Sequence, residues 1–380
     1  MKPILMKPIE RSCLFIILIS GLLAGCGQES TPKKVSVVPE HAVSGEQVPQ
    51  LAASLRVLEN FEVGEQVYVR SLAVEKSTES LWVGTSLGVH EVDLVSHDIR
   101  NTFTRDHGLA NEYVFAIGID PDGYKWFGTN AGGMSRYKDG DWKTFFPMHG
   151  LADYWIYSFA NHPDGGLWVG TWAGANRMDR GEETFTTYVK ELINEWVYGV
   201  DVDAEGNVWF GTEGGVSRFD GESWVSWNHG DGIGASNIEN LPSSKNTGLG
   251  TRSRHDLGVL TAGQTTYNPN YVFSLIVAED NTVWVGTWGA GVSHRVGDAW
   301  ENYSTNDGLA GNIVYSILQD SQGTFWFGTN KGLSRYDGKT WQNLNVHDGL
   351  VNNDVYAVAE DPSGNIWIGT KGSVTLVSSK

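Results

Sequence analysis

Apolar residues in this chain fall in short runs separated by Gly- and Asp-rich breaks, and one unit of that pattern recurs along its length. In residues 313–344 the unit reads Ile313-Val-Tyr-Ser-Ile-Leu-Gln-Asp320, Thr324-Phe-Trp-Phe-Gly-Thr329, Gly332-Leu-Ser-Arg-Tyr336 and Thr340-Trp-Gln-Asn-Leu344, followed by the connector His347-Asp-Gly-Leu350. Each run is rich in β-branched or aromatic residues and predicts a strand, and the Gly and Asp between runs suit hairpin turns. A Trp-x-Gly-Thr box marks the second strand of every copy, with its tryptophan at Trp82, Trp126, Trp168, Trp209, Trp284, Trp326 and Trp367. A period of about forty residues with four strands per copy predicts an all-β, seven-bladed β-propeller of four-stranded antiparallel blades.

Counting back from the box tryptophan, the twelfth residue of blades two to seven is Val114, Ile156, Val197, Val272, Val314 or Val355, and the tenth is always small. That combination fits the innermost strand, where blades crowd around the axis. The last copy stops after Val374-Thr-Leu-Val377 and lacks its outer strand. The Trp-x-x-Phe spacing of outer strands has a counterpart in Leu58-Glu-Asn-Phe61. Residues 54–62 are therefore expected to complete blade seven, closing the ring and removing its free edges. Trp209 and Trp284 are spaced 75 residues apart, where the other intervals run from 41 to 44. The polar, Gly/Ser-rich stretch from Gly230 to Gln264 accounts for the excess as an insertion between blades four and five.

The N-terminus changes the picture of where such a propeller works. Residues 1–25 read as an export signal: Lys2, Lys7 and Arg11 precede an apolar stretch from Leu14 to Leu23 that is too short to span a bilayer. The stretch ends in Leu23-Ala24-Gly25-Cys26, which resembles a bacterial lipoprotein box with Cys26 as the lipidated new N-terminus. Gly27 in place of Asp points to outer-membrane sorting in a two-membrane host. Residues 26–50 are polar and read as a flexible tether spanning roughly 25 to 30 Å, and the propeller occupies 51–380. The membrane is then engaged through the lipid anchor only. With Cys13 removed and Cys26 lipidated, no thiol remains for a disulfide, a nucleophile or a thiolate metal site. Loss of the signal takes the net charge from −18 to −20, which argues against nucleic acid as a partner.

The recurring DGL…V-[FY]-[AS]-[IV]…D..G..W.GT..G.[LV]SR[YF]D pattern, seen from His107-Gly-Leu109 to Tyr137 and from Asp307-Gly-Leu309 to Asp337, resembles the two-component regulator propeller repeat. That resemblance implies an extracytoplasmic sensor region of the kind carried by hybrid histidine kinases, with glycan fragments among the ligands. The chain ends at Lys380 without a kinase segment, so the expectation is a ligand-sensing or ligand-binding module that works with a separate signalling or envelope protein.

Function is expected where the copies disagree. Of sixteen tryptophans, seven sit in the boxes, while Trp142, Trp224, Trp300, Trp341 and Trp227 recur on outer strands and are assigned to blade cores. The remaining Trp155, Trp172, Trp196 and Trp288, with Tyr113 and Tyr271, occupy loop positions that open on one face. They predict an aromatic crescent across blades two to five that takes a small-molecule or oligosaccharide ligand. On the other reading, these rings merely plug the channel mouth. The insertion adds Lys245, Arg252, Arg254 and His255 on the same side, with Arg252 and Arg254 as candidate holders of a carboxylate or sulfate. The repeated Arg136, Arg177, Arg218 and Arg335 are assigned to interblade or hairpin bonding. Asp201-x-Asp203-x-Glu205-Gly206 imitates a calcium loop, but Thr212 stands where a bidentate Glu is required. No metal or cofactor is expected. An alternative reading makes His107, His149 or His255 the base of a polysaccharide lyase, since virginiamycin B lyase broadly resembles this architecture. A third makes the face a protein-interaction scaffold.

Overall fold

The computed structural model describes residues 55–244 and 265–378. Twenty-eight strands form seven four-stranded antiparallel sheets. In blades 1 to 6 the chain runs from the innermost strand outward, with innermost strands Val69–Glu75, Val114–Ile119, Ile156–Asn161, Val197–Val202, Asn268–Val277 and Val314–Gln319. Blade 7 runs inward-to-outward through Val355–Glu360, Ile366–Thr370 and Ser373–Ser378, and its fourth strand is Arg56–Glu62 from the other end of the chain. The expected closure is therefore present. Asn60 pairs with Thr375, accepts its hydroxyl at 2.6 Å and donates to Gly349 O at 3.0 Å. Asn343 makes the same pair of bonds in blade 6, to Ser334 at 2.8 Å and Gly308 O at 2.9 Å.

Every letter of the Trp-x-Gly-Thr box has a mechanical reason. All seven tryptophans are buried, packed against the neighbouring blade. Five of them donate the indole N–H to an acidic side chain at the end of the innermost strand, as Trp326 does to Asp320 at 2.8 Å and Trp82 to Glu75 at 2.9 Å. His162 and Ala278 hold that place in blades 3 and 5, where the indoles of Trp168 and Trp284 have no acceptor among the described residues. The glycine admits the next blade: a Cβ on Gly128 would lie 2.7 Å from Ile156, and one on Gly369 would lie 2.5 Å from Val69 across the ring closure. The threonine hydroxyl spans its hairpin, as in Thr329 to Gly332 O at 2.7 Å.

Among the described residues, four connectors between blades are single 3-10 turns, such as Arg105–His107 and Pro147–His149, each ended by a left-handed glycine and a buried Leu or Ile. His229–Asp231, Gly232 and the buried Ile233 form the same turn, and Gly234 N binds Ser293 Oγ at 2.8 Å as Ala310 N binds Ser334 Oγ. Residues 230–234, placed in the insertion by composition, thus keep the repeat's geometry, and the departure begins at Ala235. The described ends of the insertion fold together near blade 5, with Tyr267 N bonded to Pro242 O and Tyr267 Oη to Ala235 O.

Candidate ligand site on the propeller axis

Each innermost strand carries a β-bulge between the large apolar residue and the small one that follows it by two. A bulge turns one side chain out of the ladder, and here the seven bulged residues are Arg70, Phe115, Tyr157, Tyr198, Phe273, Tyr315 and Tyr356. All seven line one cavity of about 460 Å³, which therefore lies on the propeller axis. The rings touch in series: Phe115–Tyr157 at 5.1 Å, Tyr157–Tyr198 at 4.8 Å, Tyr198–Phe273 at 5.5 Å, Phe273–Tyr315 at 5.9 Å and Tyr315–Tyr356 at 5.0 Å between centroids. Arg70 closes the circle, 4.2 Å from the Tyr356 ring, with Nε donating to Tyr113 Oη at 3.1 Å. Sequence reasoning missed this ring, although the [FY] of the repeat pattern, between its Val and its small residue, was the signal for it.

The crescent residues lie beside this cavity, in unequal roles. Trp155, Trp172 and Trp196 stack edge to face in series, each 5.1 Å from the next. Tyr271 and Trp288 stack nearly parallel, with 11° between their planes and centroids 5.3 Å apart, and both line the cavity. Tyr198 joins the two groups, 4.8 Å from Tyr271. Trp172, Trp196 and Tyr271 are 5%, 7% and 7% exposed, so most of the crescent is packed against itself rather than open to solvent. Tyr113 departs from the group, contacting Phe115 at 4.9 Å and Arg70. Arg252, Arg254, His255, Lys245 and Cys26 lie outside the described residues.

Two carboxyls near the mouth are shaped by burial. Glu213 follows the box threonine of blade 4, the position of Trp172 and Trp288 in blades 3 and 5, and its backbone N–H binds Trp196 O at 3.1 Å. Burial, and then the neighbouring charge of Glu195, push its pKa up to about 8, so it is largely protonated at neutral pH. Asp354 accepts the Tyr315 hydroxyl at 3.2 Å, and burial raises its pKa as well, against an opposing pull from Arg70. For Arg70 burial works against the charge, but the phenol oxygens of Tyr113, Tyr356 and Tyr315 more than offset it.

Two of the histidines considered as bases, His107 and His149, do other work. His107 Nδ1 accepts the Thr104 N–H at 3.1 Å and His149 Nδ1 accepts the Phe146 N–H at 2.9 Å. Asp348 caps Asn345 in the same way, which is why Asp and His interchange in the connector. Neither histidine lines the axial cavity. Asp203 of the calcium-like segment accepts the Trp209 indole at 2.8 Å. Of the repeated arginines, Arg136 reaches Glu183 in the next blade at 2.8 Å and Arg335 reaches Gln342 of its own hairpin at 3.2 Å. Among the described residues no three His, Cys, Asp or Glu side chains are grouped to hold a metal ion, and no helix is long and apolar enough to cross a membrane.

A seven-bladed β-propeller with one side chain from each blade gathered at its axis is what the fold and the site define. The chain carries two-component regulator propeller repeats: that family's model matches residues 150–173, 266–289, 308–331 and 349–372, each segment running from a connector through a bulged innermost strand to the box. No curated protein matches the chain. Among solved structures it is similar to the extracellular domain described for the hybrid two component system BT3049 of B. thetaiotaomicron, at 19% identity and a TM-score of 0.65 over 83% of this chain. The chain spans 39% of that protein's length. It is also similar to a streptogramin B lyase, at 14% identity and a TM-score of 0.60, covering 84% of this chain and 96% of the lyase. The virginiamycin B lyase of Staphylococcus aureus solved with quinupristin is 11% identical with a TM-score of 0.61, covering 86% and 99% of the two chains. At these identities the likeness is one of fold.

Proposed function

We propose that the protein is an extracytoplasmic, lipid-anchored binding or sensing propeller that takes a glycan or similar ring-bearing ligand in its axial cavity, without catalysis. The observation that carries this reading is the cavity itself: of seven equivalent bulged side chains, six are aromatic and four of those are tyrosines. Aromatic faces stack on the apolar faces of sugars while phenol hydroxyls bond to sugar hydroxyls, and a volume of about 460 Å³ is within the range of small-ligand sites. The repeat family and the likeness to an extracellular two component system domain support an extracytoplasmic sensor, with the signal passed to a separate signalling or envelope protein. Cys26 would tether it and residues 26–50 would hold it clear of the headgroups.

The streptogramin and virginiamycin lyases share this architecture, but His107 and His149 are occupied as turn caps, which weakens the case for turnover. An oligosaccharide panel separates the readings when it is scored for both retention and unsaturated product. Retention without product is expected. The paired substitution Tyr271→Ala and Trp288→Ala should lower affinity at least about tenfold with the fold intact. Affinity equal to wild type would place the ligand elsewhere, and product formation would make the protein a lyase.

A further inference from the structure

The axial cavity has one cationic lining residue, and it stands where the other six blades supply rings. Arg70 is partly buried, and its only side-chain hydrogen bond, through Nε to Tyr113, leaves Nη1 and Nη2 without a protein acceptor among the described residues. No ion pair links it to a carboxylate among the described residues; Asp354 is turned to Tyr315, whose hydroxyl it accepts at 3.2 Å. Burial works against the guanidinium's charge; the phenol oxygens of Tyr113, Tyr356 and Tyr315 and the Tyr356 ring face offset it, but none of them accepts a hydrogen bond from Nη1 or Nη2. Blade 1 also stands across the axis from blade 5, whose Tyr271 and Trp288 form a stacked aromatic pair lining the cavity. The cavity is therefore polarised, with a forked cation on one wall and a stacked aromatic pair on the other.

We infer that the ligand is acidic: a sugar bearing a carboxylate or sulfate, whose anionic group Arg70 receives through Nη1 and Nη2 while a ring face packs against the Tyr271–Trp288 stack. This rests on the axial cavity being the binding site. Two oxyanion oxygens match the planar fork of a guanidinium, and the surrounding rings keep the pair from water, where salt would screen it. In a chain of net charge −18, long-range attraction for an anion is absent, so recognition falls to this local contact.

The test is affinity, by calorimetry on the whole protein, for three disaccharides of equal size: one with a uronate, one with a sulfate ester and one neutral. Acidic disaccharides should bind at least about tenfold more tightly than the neutral one. In Arg70→Gln the ratio of acidic to neutral affinity should fall to about one, whatever the variant does to neutral binding. Arg70→Lys, which keeps the charge and loses the fork, should retain part of it, and serves if the Gln variant fails to fold. Uronate above sulfate, or the reverse, identifies the anion. Equal binding of acidic and neutral sugars, or a preference untouched in both variants, overturns the inference and leaves the axial site standing. Acid preference lost with Arg70 but untouched by the Tyr271 and Trp288 substitutions would overturn the proposed contact with the stack alone.

Discussion

At the residue scale, the chain uses one template seven times and departs from it where the template is not needed for folding. The box glycine cannot change, because the next blade's Val or Ile occupies the place of its side chain, whereas the bulged residue faces the axis and tolerates Arg70 in place of a ring. Glu213 is a departure of the second kind, a carboxyl where other blades place Ser, Asn, Lys or Trp. Its pKa is raised by burial first and by Glu195 second, to about 8. A carboxyl with a raised folded-state pKa contributes stability that is fully present below its unfolded value and is lost as pH rises through the folded one. Thermal melts should therefore show Glu213→Gln matching wild type near about pH 4 and exceeding it by about 2–5 °C near about pH 8. Equal melting temperatures at both ends would show that the carboxyl ionises freely in the fold.

At the element scale, the blades are held by pairing and the ring by a single strand. Arg56–Glu62 joins Ser373–Ser378, six buried residues that would otherwise present an open edge. Open edges invite pairing between chains. Removing residues up to 62 should lower the melting temperature by roughly 10 °C and shift the protein toward oligomers in size-exclusion chromatography. A monomer with an unchanged melt would mean that the ring closes without it. Strand number and this closure were legible because spacing alone sets them: the box recurs, and Leu58-Glu-Asn-Phe61 keeps the outer-strand interval. The start of the insertion was less legible, since Gly230 to Gly234 has the composition of a loop and the geometry of a connector. Only the bonds of Asn228, Gly234 and Ser293 reveal it.

At the scale of the whole molecule, the loop aromatics were legible in the sequence and the ring of side chains on the axis was not. Loop aromatics such as Trp155 and Trp172 stand out against the repeat, yet in the fold Trp172 and Trp196 are largely consumed in packing with one another. The rings that meet on the axis were hidden because they do repeat: Phe115, Tyr157 and Tyr198 look like structural positions until the bulge turns them inward. Arg70 was masked further, because blade 1 places one extra residue between its bulge and its box, so counting back from Trp82 misaligns it. A propeller brings seven such residues together only when its ring closes, and no local pattern contains that information. The central claim is that this axial cavity is where the ligand sits. A crystal structure of the protein with the tightest-binding oligosaccharide tests it most directly. Ligand density between Arg70 and the Tyr271–Trp288 pair is the predicted result. Density on an outer blade surface or over the insertion, with the axial cavity unchanged, would contradict it.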